Sequence, residues 1–205
     1  MDKIIIIAGS PEPDMEFLKT FDYSASIIIA VDKGLEFCHA LSLVPATVIG
    51  DLDSVSPLIL SEYDPSIVKH FPVDKSESDL ELAVTEALGH SLPIIILNAY
   101  NGRIDHVLFN AMVLFLYPGR ITITDRYGCL TAIPVKTDYL PDLQEGQLFS
   151  VIPIGICNGV SIENAKYQLD SAILSNKSLT LSNISSGRTK VFYTDGYLLL
   201  FSARI

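Results

Sequence analysis

The stretch Gly50-Asp51-Leu52-Asp53-Ser54 directly follows the apolar run Ala46-Thr47-Val48-Ile49, and this junction decides how the first half of the chain is interpreted. The apolar run predicts a buried strand, so two carboxylates one residue apart emerge where a sheet ends and a loop begins. Hard cations such as Mg²⁺ are usually held by one or two carboxylates together with substrate phosphates. Taken alone, an Asp-Leu-Asp sequence more often punctuates a loop and caps the next helix, so the metal hypothesis depends on the rest of the chain.

Short apolar runs alternate with helical patterns through the first half, which predicts a parallel sheet covered on both faces. The expected strands lie near residues 4–8, 26–31, 47–50, 67–71, 94–97 and 121–124. The clearest helix begins at the capping-box sequence Ser78-Asp79-Leu80-Glu81. Another helix is expected to start at Asp105 and to bury Leu108, Met112 and Phe115.

The pattern changes after Asp125 to short, alternating, β-prone segments without helical periodicity. The expected strands lie at residues 129–134, 147–154, 159–163, 171–174, 179–181, 190–193 and 197–201, with turn signals at Cys157-Asn158-Gly159 and Asp195-Gly196. We therefore predict an α/β protein with two domains. A parallel-sheet, Rossmann-like domain over residues 1–125 is followed by a small all-β sandwich over residues 126–205.

Composition limits the partners of this chain of 205 residues. Its formal net charge of -10 argues against a nucleic-acid surface, because no basic stripe is present to neutralise phosphates. An anionic ligand would then need a cation to mediate its binding. Three widely spaced cysteines, Cys38, Cys129 and Cys157, favour a reduced compartment, and no apolar run is long enough for a signal peptide or a membrane span. We expect a cytoplasmic protein.

Charged residues follow the predicted strands one after another. Ligands bind beyond the carboxyl ends of the strands in a parallel sheet, so these residues should share one rim. They are Asp32 and Lys33 after the second strand, Asp51 and Asp53 after the third, Asp74 and Lys75 after the fourth, and Asn101, Arg103, Asp105 and His106 after the fifth. Crowded carboxylates raise each other's pKa unless a cation neutralises them, which again favours bound Mg²⁺.

Four charged or titratable residues of this rim have both functional and structural interpretations. Arg103 is the natural phosphate clamp, because its planar fork can hold two oxygens at once. Lys75 could approach a polyphosphate or be solvated. Asp105 could be a helix N-cap or serve metal or substrate, and His106 could bond a phosphate or be a packed side chain.

Several blocks of this sequence resemble the signature blocks of thiamine pyrophosphokinases. The blocks are residues 50–54, Asp74-Lys75-Ser76-Glu77-Ser78-Asp79-Leu80-Glu81 and Asn101-Gly102-Arg103-Ile104-Asp105-His106, and then Ala165-Lys166-Tyr167-Gln168-Leu169 and Leu181-Ser182-Asn183. The resemblance implies an α/β nucleotide-binding domain, a β-sandwich that binds thiamine, and a homodimer with sites at the subunit interface. It also implies transfer of pyrophosphate from ATP to the thiamine hydroxyl, leaving AMP.

The same resemblance suggests a role for each candidate residue. Asp51, Asp53 and Asp79 would hold Mg²⁺, and one of them, or Asp74, would accept the hydroxyl proton. The nucleotide would be bound by the charged rim residues Asp32, Lys75, Arg103, Asp105 and His106. Ser182 and Asn183 would offer donors and acceptors to the aminopyrimidine ring of thiamine, while Tyr167 would stack on a flat cationic ring or fill the core.

The chain also departs from the family pattern. Lys33 follows Asp32 where a Gly-Gly pair is usual, Asn101 replaces a glycine, and Tyr167 stands where Trp is frequent. Asn is the non-glycine residue that best tolerates a left-handed backbone. Ser76 and Ser78 stand where Thr is commoner. These changes mark a divergent member and leave nucleotide preference open.

Two other functions fit part of the sequence. A strand followed by Asp51-Leu52-Asp53-Ser54 also resembles the opening motif of haloacid-dehalogenase phosphatases, in which Asp51 would be the nucleophile. That motif normally follows the first strand of the chain, whereas here at least one strand and helix precede it. A binding protein for nucleotide or thiamine without turnover is the third reading, and Lys33 and Asn101 keep it open.

Overall fold

The computed structural model describes residues 1–175 and 177–205, which form two compact units. The N-terminal unit comprises Met1–Val113 and Ile123–Asp125, and the C-terminal unit comprises Leu114–Thr122 and Arg126–Ile205. The N-terminal unit contains strands and α-helices, whereas the C-terminal unit is built mainly from strands. The protein therefore has a mixed α/β fold.

A parallel sheet forms the centre of the N-terminal unit. Its strands are β1 (Lys3–Ile7), β2 (Ser26–Val31), β3 (Thr47–Gly50), β4 (Val68–His70) and β5 (Ile94–Leu97). They run in the order β5-β1-β2-β3-β4, and each neighbouring pair is parallel. The residues from Ile4 to Ile7 are fully buried, as expected for a central strand covered on both faces. The parallel sheet predicted from the alternating pattern is confirmed.

Five helices accompany these strands in the sequence. They are α1 (Met15–Thr20), α2 (Gly34–Ala40), α3 (Pro57–Leu60), α4 (Asp79–Leu88) and α5 (Ile104–Val113). Short 3₁₀ helices cover Pro65–Ile67 and Leu114–Leu116, and strand β6 covers Ile121–Thr124. The main core cluster packs Phe17, Leu18 and Leu35 from the helices against Ile5 and Val48 from the sheet.

Helix α5 corrects one expectation. Leu108 was expected in the core, but its side chain is 59% exposed, and Ala111 and Val113 are buried instead. The helix carries apolar residues on more than one face, so periodicity alone could not decide which face enters the core. Ile104 is exposed together with Leu108.

The C-terminal unit contains β7 (Gly128–Ala132), β8 (Leu148–Ala165), β9 (Leu169–Leu174), β10 (Asn183–Phe192) and β11 (Asp195–Ala203). These strands run in the order β10-β8-β11-β7, and β9 pairs with β8. The β-rich character expected after Asp125 is confirmed. In the described part of the chain, no helix is long and apolar enough to cross a membrane.

Two local expectations in this unit are wrong. The expected turn at residues 157–159 lies inside β8, where Gly155 and Gly159 take left-handed backbone angles (φ 78° and 63°) and the pairing with β9 shifts register. The strand therefore bends at an irregularity rather than ending. The strand expected at residues 179–181 is mainly a 3₁₀ helix, Ser178–Thr180.

Candidate active site

A cavity of about 500 Å³ opens in the N-terminal unit where β1, β2, β3 and β5 end. The predicted site residues that line it are Asp32, Asp51, Lys75, Asp79, Arg103 and His106. The remaining lining includes Gly9, Ser10 and Pro11 after β1, Asn98, Ala99 and Asn101 after β5, and Glu77 and Ser78 before α4. The carboxyl ends of parallel strands have thus brought acidic and basic side chains together, as the topology requires.

The close approach of Asp32 explains the glycine that precedes the Asp51 motif. Asp32 has a left-handed backbone (φ 46°), and its Oδ1 accepts a hydrogen bond from the Leu52 N–H at 3.4 Å. A Cβ atom built on Gly50 would lie 1.7 Å from that Oδ1, and Gly50 itself has φ 150°. Only glycine fits here, because a side chain would collide with the carboxylate.

The carboxylates of the cavity interact electrostatically. Burial raises the pKa of Asp32 to about 7, and the negative charges of Asp79 and Asp51 add to this increase. Lys75 opposes it, since its Nζ lies 3.1 Å from Asp79 Oδ1 and both side chains are mostly buried (11% and 18% exposed). The acidic group is therefore only partly neutralised by the protein's own cation.

The first turn of α4 fixes Asp79. The Ser78 side chain accepts a hydrogen bond from the Glu81 N–H (3.2 Å), and the Glu81 carboxylate accepts one from the Ser78 N–H (2.8 Å). This reciprocal pair is the capping box that the sequence predicted. Because Asp79 is the first helical residue, the box fixes the direction from which its side chain enters the cavity.

A group of hydrogen bonds connects the loops after β1 and β5, a contact that the sequence did not predict. The Asn98 side chain donates to the Ala8 carbonyl at 2.9 Å, and the Ser10 hydroxyl donates to the Asn101 carbonyl at 2.7 Å. A Cβ on Gly102 (φ 104°) would lie 2.7 Å from Pro11 Cγ. A contact between residues 91 positions apart in the sequence has no local signal.

Arg103 lines the cavity and forms an ion pair with Asp105 in the first turn of α5. Its Nε donates to Asp105 Oδ1 at 3.1 Å and its Nη2 donates to Oδ2 at 2.6 Å, which is the bidentate geometry of guanidinium and carboxylate. The side-chain hydrogen bonds from Arg103 lower the pKa of Asp105 to about 2. Asp105 contacts Arg103 but does not line the cavity.

Besides Asp105, two more of the predicted carboxylates lie outside the cavity lining. Asp53 and Asp74 are exposed and do not line the cavity; Asp51 Oδ1 accepts a hydrogen bond from the Asp53 N–H at 3.2 Å. Within residues 1–175 and 177–205, no group of three or more His, Cys, Asp or Glu side chains is placed to hold a metal ion. The carboxylates grouped in the cavity are Asp32, Asp51 and Asp79.

The three residues assigned to thiamine lie together in the C-terminal unit. Tyr167 is 51% exposed, and Lys166 Nζ lies 5.1 Å from the centre of its ring. Ser182 is exposed and has a left-handed backbone (φ 55°). Asn183, by contrast, is buried and hydrogen-bonds the backbone of Tyr167.

Two family models match successive parts of the chain. The first, described as "Thiamin pyrophosphokinase, catalytic domain", matches residues 18–124, and the second, "Thiamin pyrophosphokinase, vitamin B1 binding domain", matches residues 135–199. The chain belongs to the thiamine pyrophosphokinase family. A thiamine pyrophosphokinase of Bacillus subtilis (strain 168) is 25% identical over 211 residues, which cover 98% of each chain.

Solved structures of the family share the fold. Thiamin pyrophosphokinase from Geobacillus thermodenitrificans superposes with a TM-score of 0.83 at 24% identity and covers 99% of this chain and 98% of its own. The Bacillus subtilis structure gives 0.81 at 22% identity with full coverage of both chains, and the enzyme from Candida albicans gives 0.71 at 14% identity over 99% of this chain and 89% of its own.

Family membership decides between the three functions that the sequence left open. Thiamine pyrophosphokinases form thiamine diphosphate with ATP as co-substrate, so this chain is a transferase of thiamine metabolism. Residues 18–124 match the pyrophosphokinase catalytic domain, which argues against a phosphatase with Asp51 as nucleophile. The match to a catalytic domain also favours an enzyme over a binding protein without turnover.

Proposed function

We propose that the cavity of the N-terminal unit binds ATP and Mg²⁺ and that its residues catalyse transfer of the pyrophosphoryl group to the thiamine hydroxyl. The hydroxyl oxygen forms a bond to the β-phosphorus. The bond from that phosphorus to the oxygen shared with the α-phosphorus breaks, so AMP leaves. Positioning and electrostatic stabilisation supply most of the catalysis in such transfers. The observation that carries this proposal is the presence of Asp32, Asp51 and Asp79 together with Lys75 and Arg103 in one cavity.

The donor chemistry of the cavity fits a hard divalent cation. The cavity lining includes the carboxylates of Asp32, Asp51 and Asp79, and burial, with the negative charges of Asp79 and Asp51 added, raises the pKa of Asp32. Asp51 and Asp79 would hold Mg²⁺, with Asp53 reaching in from the same loop. Bound Mg²⁺ would neutralise charge on the phosphate oxygens.

The remaining residues position the phosphates and accept the proton. Arg103 can exchange the two hydrogen bonds it gives to Asp105 for two bonds to phosphate oxygens, because both ligands suit its planar fork. Lys75 lines the cavity and pairs with Asp79, and its ammonium group can bind a phosphate oxygen in the same place. His106 lines the same opening. One of Asp51, Asp53, Asp79 or Asp74 accepts the hydroxyl proton.

We also propose the larger organisation that the family resemblance implies. Residues 1–125 act as a Rossmann-like nucleotide domain and residues 126–205 as a β-sandwich that binds thiamine and supports dimerisation; the two family matches, 18–124 and 135–199, support this division. The homodimer has its sites at the subunit interface. Cys38, Cys129 and Cys157 are present as thiols, which supports a cytoplasmic location.

Substitution of Asp51 tests the proposed site. Asp51→Asn should lower Mg²⁺-dependent turnover by at least about 100-fold, because it removes charge where the phosphates are neutralised. The melting temperature should stay nearly unchanged, since the Asn oxygen can still accept the hydrogen bond from the Asp53 N–H. Production of AMP and thiamine diphosphate is followed by mass spectrometry.

Two matched variants accompany this test. Asp142→Asn changes an exposed carboxylate of the C-terminal unit and should leave turnover unaltered. Loss of turnover in Asp53→Asn would show that this exposed residue takes part in the site when substrates bind, and unchanged turnover would exclude it. A fully active Asp51→Asn enzyme would remove Asp51 from the catalytic site.

A further inference from the structure

The side chain of Asn183 makes hydrogen bonds to the protein backbone. Its Oδ1 accepts hydrogen bonds from the N–H groups of Tyr167 and Ile184, both at 2.9 Å, and its Nδ2 donates to the Tyr167 carbonyl at 2.7 Å. A carboxamide oxygen has two lone pairs, so these two donors use its accepting capacity. With 1% of its surface exposed, Asn183 has no face open to a ligand.

The two hydrogen bonds between the Asn183 side chain and the Tyr167 backbone have the pattern found between paired strands. Donating to the carbonyl and accepting from the N–H of one residue is the pattern of a hydrogen-bonded pair in an antiparallel ladder. Strand β8 ends at Ala165, and the Lys166 N–H still donates to the Ile184 carbonyl at 2.8 Å. The Asn183 amide therefore extends this pairing to Tyr167, two residues beyond the end of the strand.

The side chains around this buried link are exposed. Half of Tyr167 is accessible, Lys166 lies over its ring, and Ser182 is exposed on the residue before Asn183. The Ser182 N–H is fixed by a hydrogen bond to Ser150 Oγ at 3.0 Å. An aromatic ring and a hydroxyl thus stand on a backbone that internal hydrogen bonds hold in place.

We propose that Asn183 is a positioning residue that acts on thiamine through Tyr167. By bonding both backbone groups of Tyr167, it fixes the ring that faces the substrate, while its own amide stays out of contact. This inference rests on the proposed thiamine-binding role of the C-terminal unit. It reassigns Asn183 from direct recognition of the aminopyrimidine to support of the aromatic residue beside it.

A double-mutant cycle tests this assignment. The four proteins are wild type, Asn183→Ala, Tyr167→Ala and the double variant, each assayed for KM of thiamine, KM of ATP and kcat. Asn183→Ala should raise KM for thiamine about tenfold, the range expected for loss of the two hydrogen bonds that hold the Tyr167 backbone. KM for ATP and kcat should change by less than about twofold, and in the Tyr167→Ala background the Asn183 substitution should add almost nothing.

Thr131→Val serves as the matched control. Thr131 is buried in the same unit and donates to the Ile121 carbonyl at 2.8 Å, so its loss removes an internal hydrogen bond without touching Tyr167. It should lower stability and leave KM for thiamine unchanged. Should Asn183→Ala fail to fold, Asn183→Ser, a neutral side chain that can keep one hydrogen bond to the Tyr167 backbone, should show the same coupling with a smaller change in KM.

Three outcomes would overturn the inference. Equal effects of Asn183→Ala with and without the Tyr167 ring would show that Asn183 acts independently of it. Parallel increases in KM for thiamine and ATP, shared by Thr131→Val, would reduce Asn183 to a structural role. A wild-type protein that neither binds thiamine in calorimetry nor converts it would end the proposed function, and this inference with it, whereas additivity in an active enzyme would end the inference alone.

Discussion

At the scale of single residues, Asp32 links the local backbone to the charge of the cavity. The approach of its carboxylate excludes every residue but glycine at position 50. The sequence resemblance placed Asp32 at the nucleotide, but the sequence gives no sign that Asp32 and Gly50 touch. Residue types and strand ends were enough to predict Asp51, Asp79, Lys75 and Arg103 at one rim, because each follows a parallel strand or begins the helix after it.

Asp32 should make stability depend on pH. Its pKa is about 7 in the folded protein, against an ordinary value of 3.8 for an aspartate, so the folded state holds the proton more tightly. Wild type should therefore lose stability as pH rises from about 4 to about 7. Asp32→Asn abolishes this loss and should be about 1–2 kcal/mol more stable, relative to wild type, at pH 8 than at pH 5, after allowance for solvent screening.

Urea unfolding in the presence of a chelator measures this difference. Asp22→Asn is the control, because hydrogen bonds from Ser24 lower the pKa of Asp22 to about 2, so Asp22 is charged at both pH values. The effect of that substitution should be the same at pH 5 and pH 8. An equally pH-independent effect of Asp32→Asn would contradict the electrostatic description of the cavity.

At the scale of elements, sequence patterns predicted strands and caps well where the signal is local. The capping box of α4 was predicted because Ser78 and Glu81 are three residues apart and bond each other. The bend inside β8 was missed, because Gly155 and Gly159 signal a turn equally well when a strand continues past them. The exposed face of α5 was missed for a different reason: which apolar face is buried depends on tertiary contacts.

Loss of the capping box should destabilise the N-terminal unit. Ser78→Ala removes the acceptor for the Glu81 N–H and should lower the free energy of unfolding by about 1 kcal/mol. Ser78→Thr should restore most of it, since Thr also caps helices. Ser76→Ala, which removes an exposed hydroxyl that donates to the Glu77 carboxylate, should change stability by less than about 0.5 kcal/mol. Denaturant titration showing equal losses for positions 76 and 78 would refute the role of the cap.

At the scale of the whole molecule, the exposed apolar side chains of α5 support the proposed homodimer. Ile104 and Leu108 lie one turn apart on the helix that also carries His106 of the cavity. Exposed apolar groups of this kind favour contact with a partner. The family resemblance names that partner as a second copy, but the single chain does not contain the contact, which is why neither the sequence nor the fold alone could define it.

Leu108→Glu should therefore weaken self-association. Placing a charge among apolar contacts should shift the protein from dimer to monomer at micromolar concentration in sedimentation equilibrium, and turnover should fall with it if the sites need both subunits. Leu58→Glu, at an exposed position of α3, should leave both properties unchanged. A wild-type protein that sediments as a monomer while fully active would exclude the interface site.

The identity of the products tests the central claim most directly. The protein is incubated with ATP, Mg²⁺ and a panel of hydroxylated vitamins, and nucleotide and vitamin products are measured by mass. We expect AMP and thiamine diphosphate in equal amounts, dependent on the divalent cation. Release of ADP with thiamine monophosphate, or of inorganic phosphate without any acceptor, would contradict pyrophosphoryl transfer in this cavity.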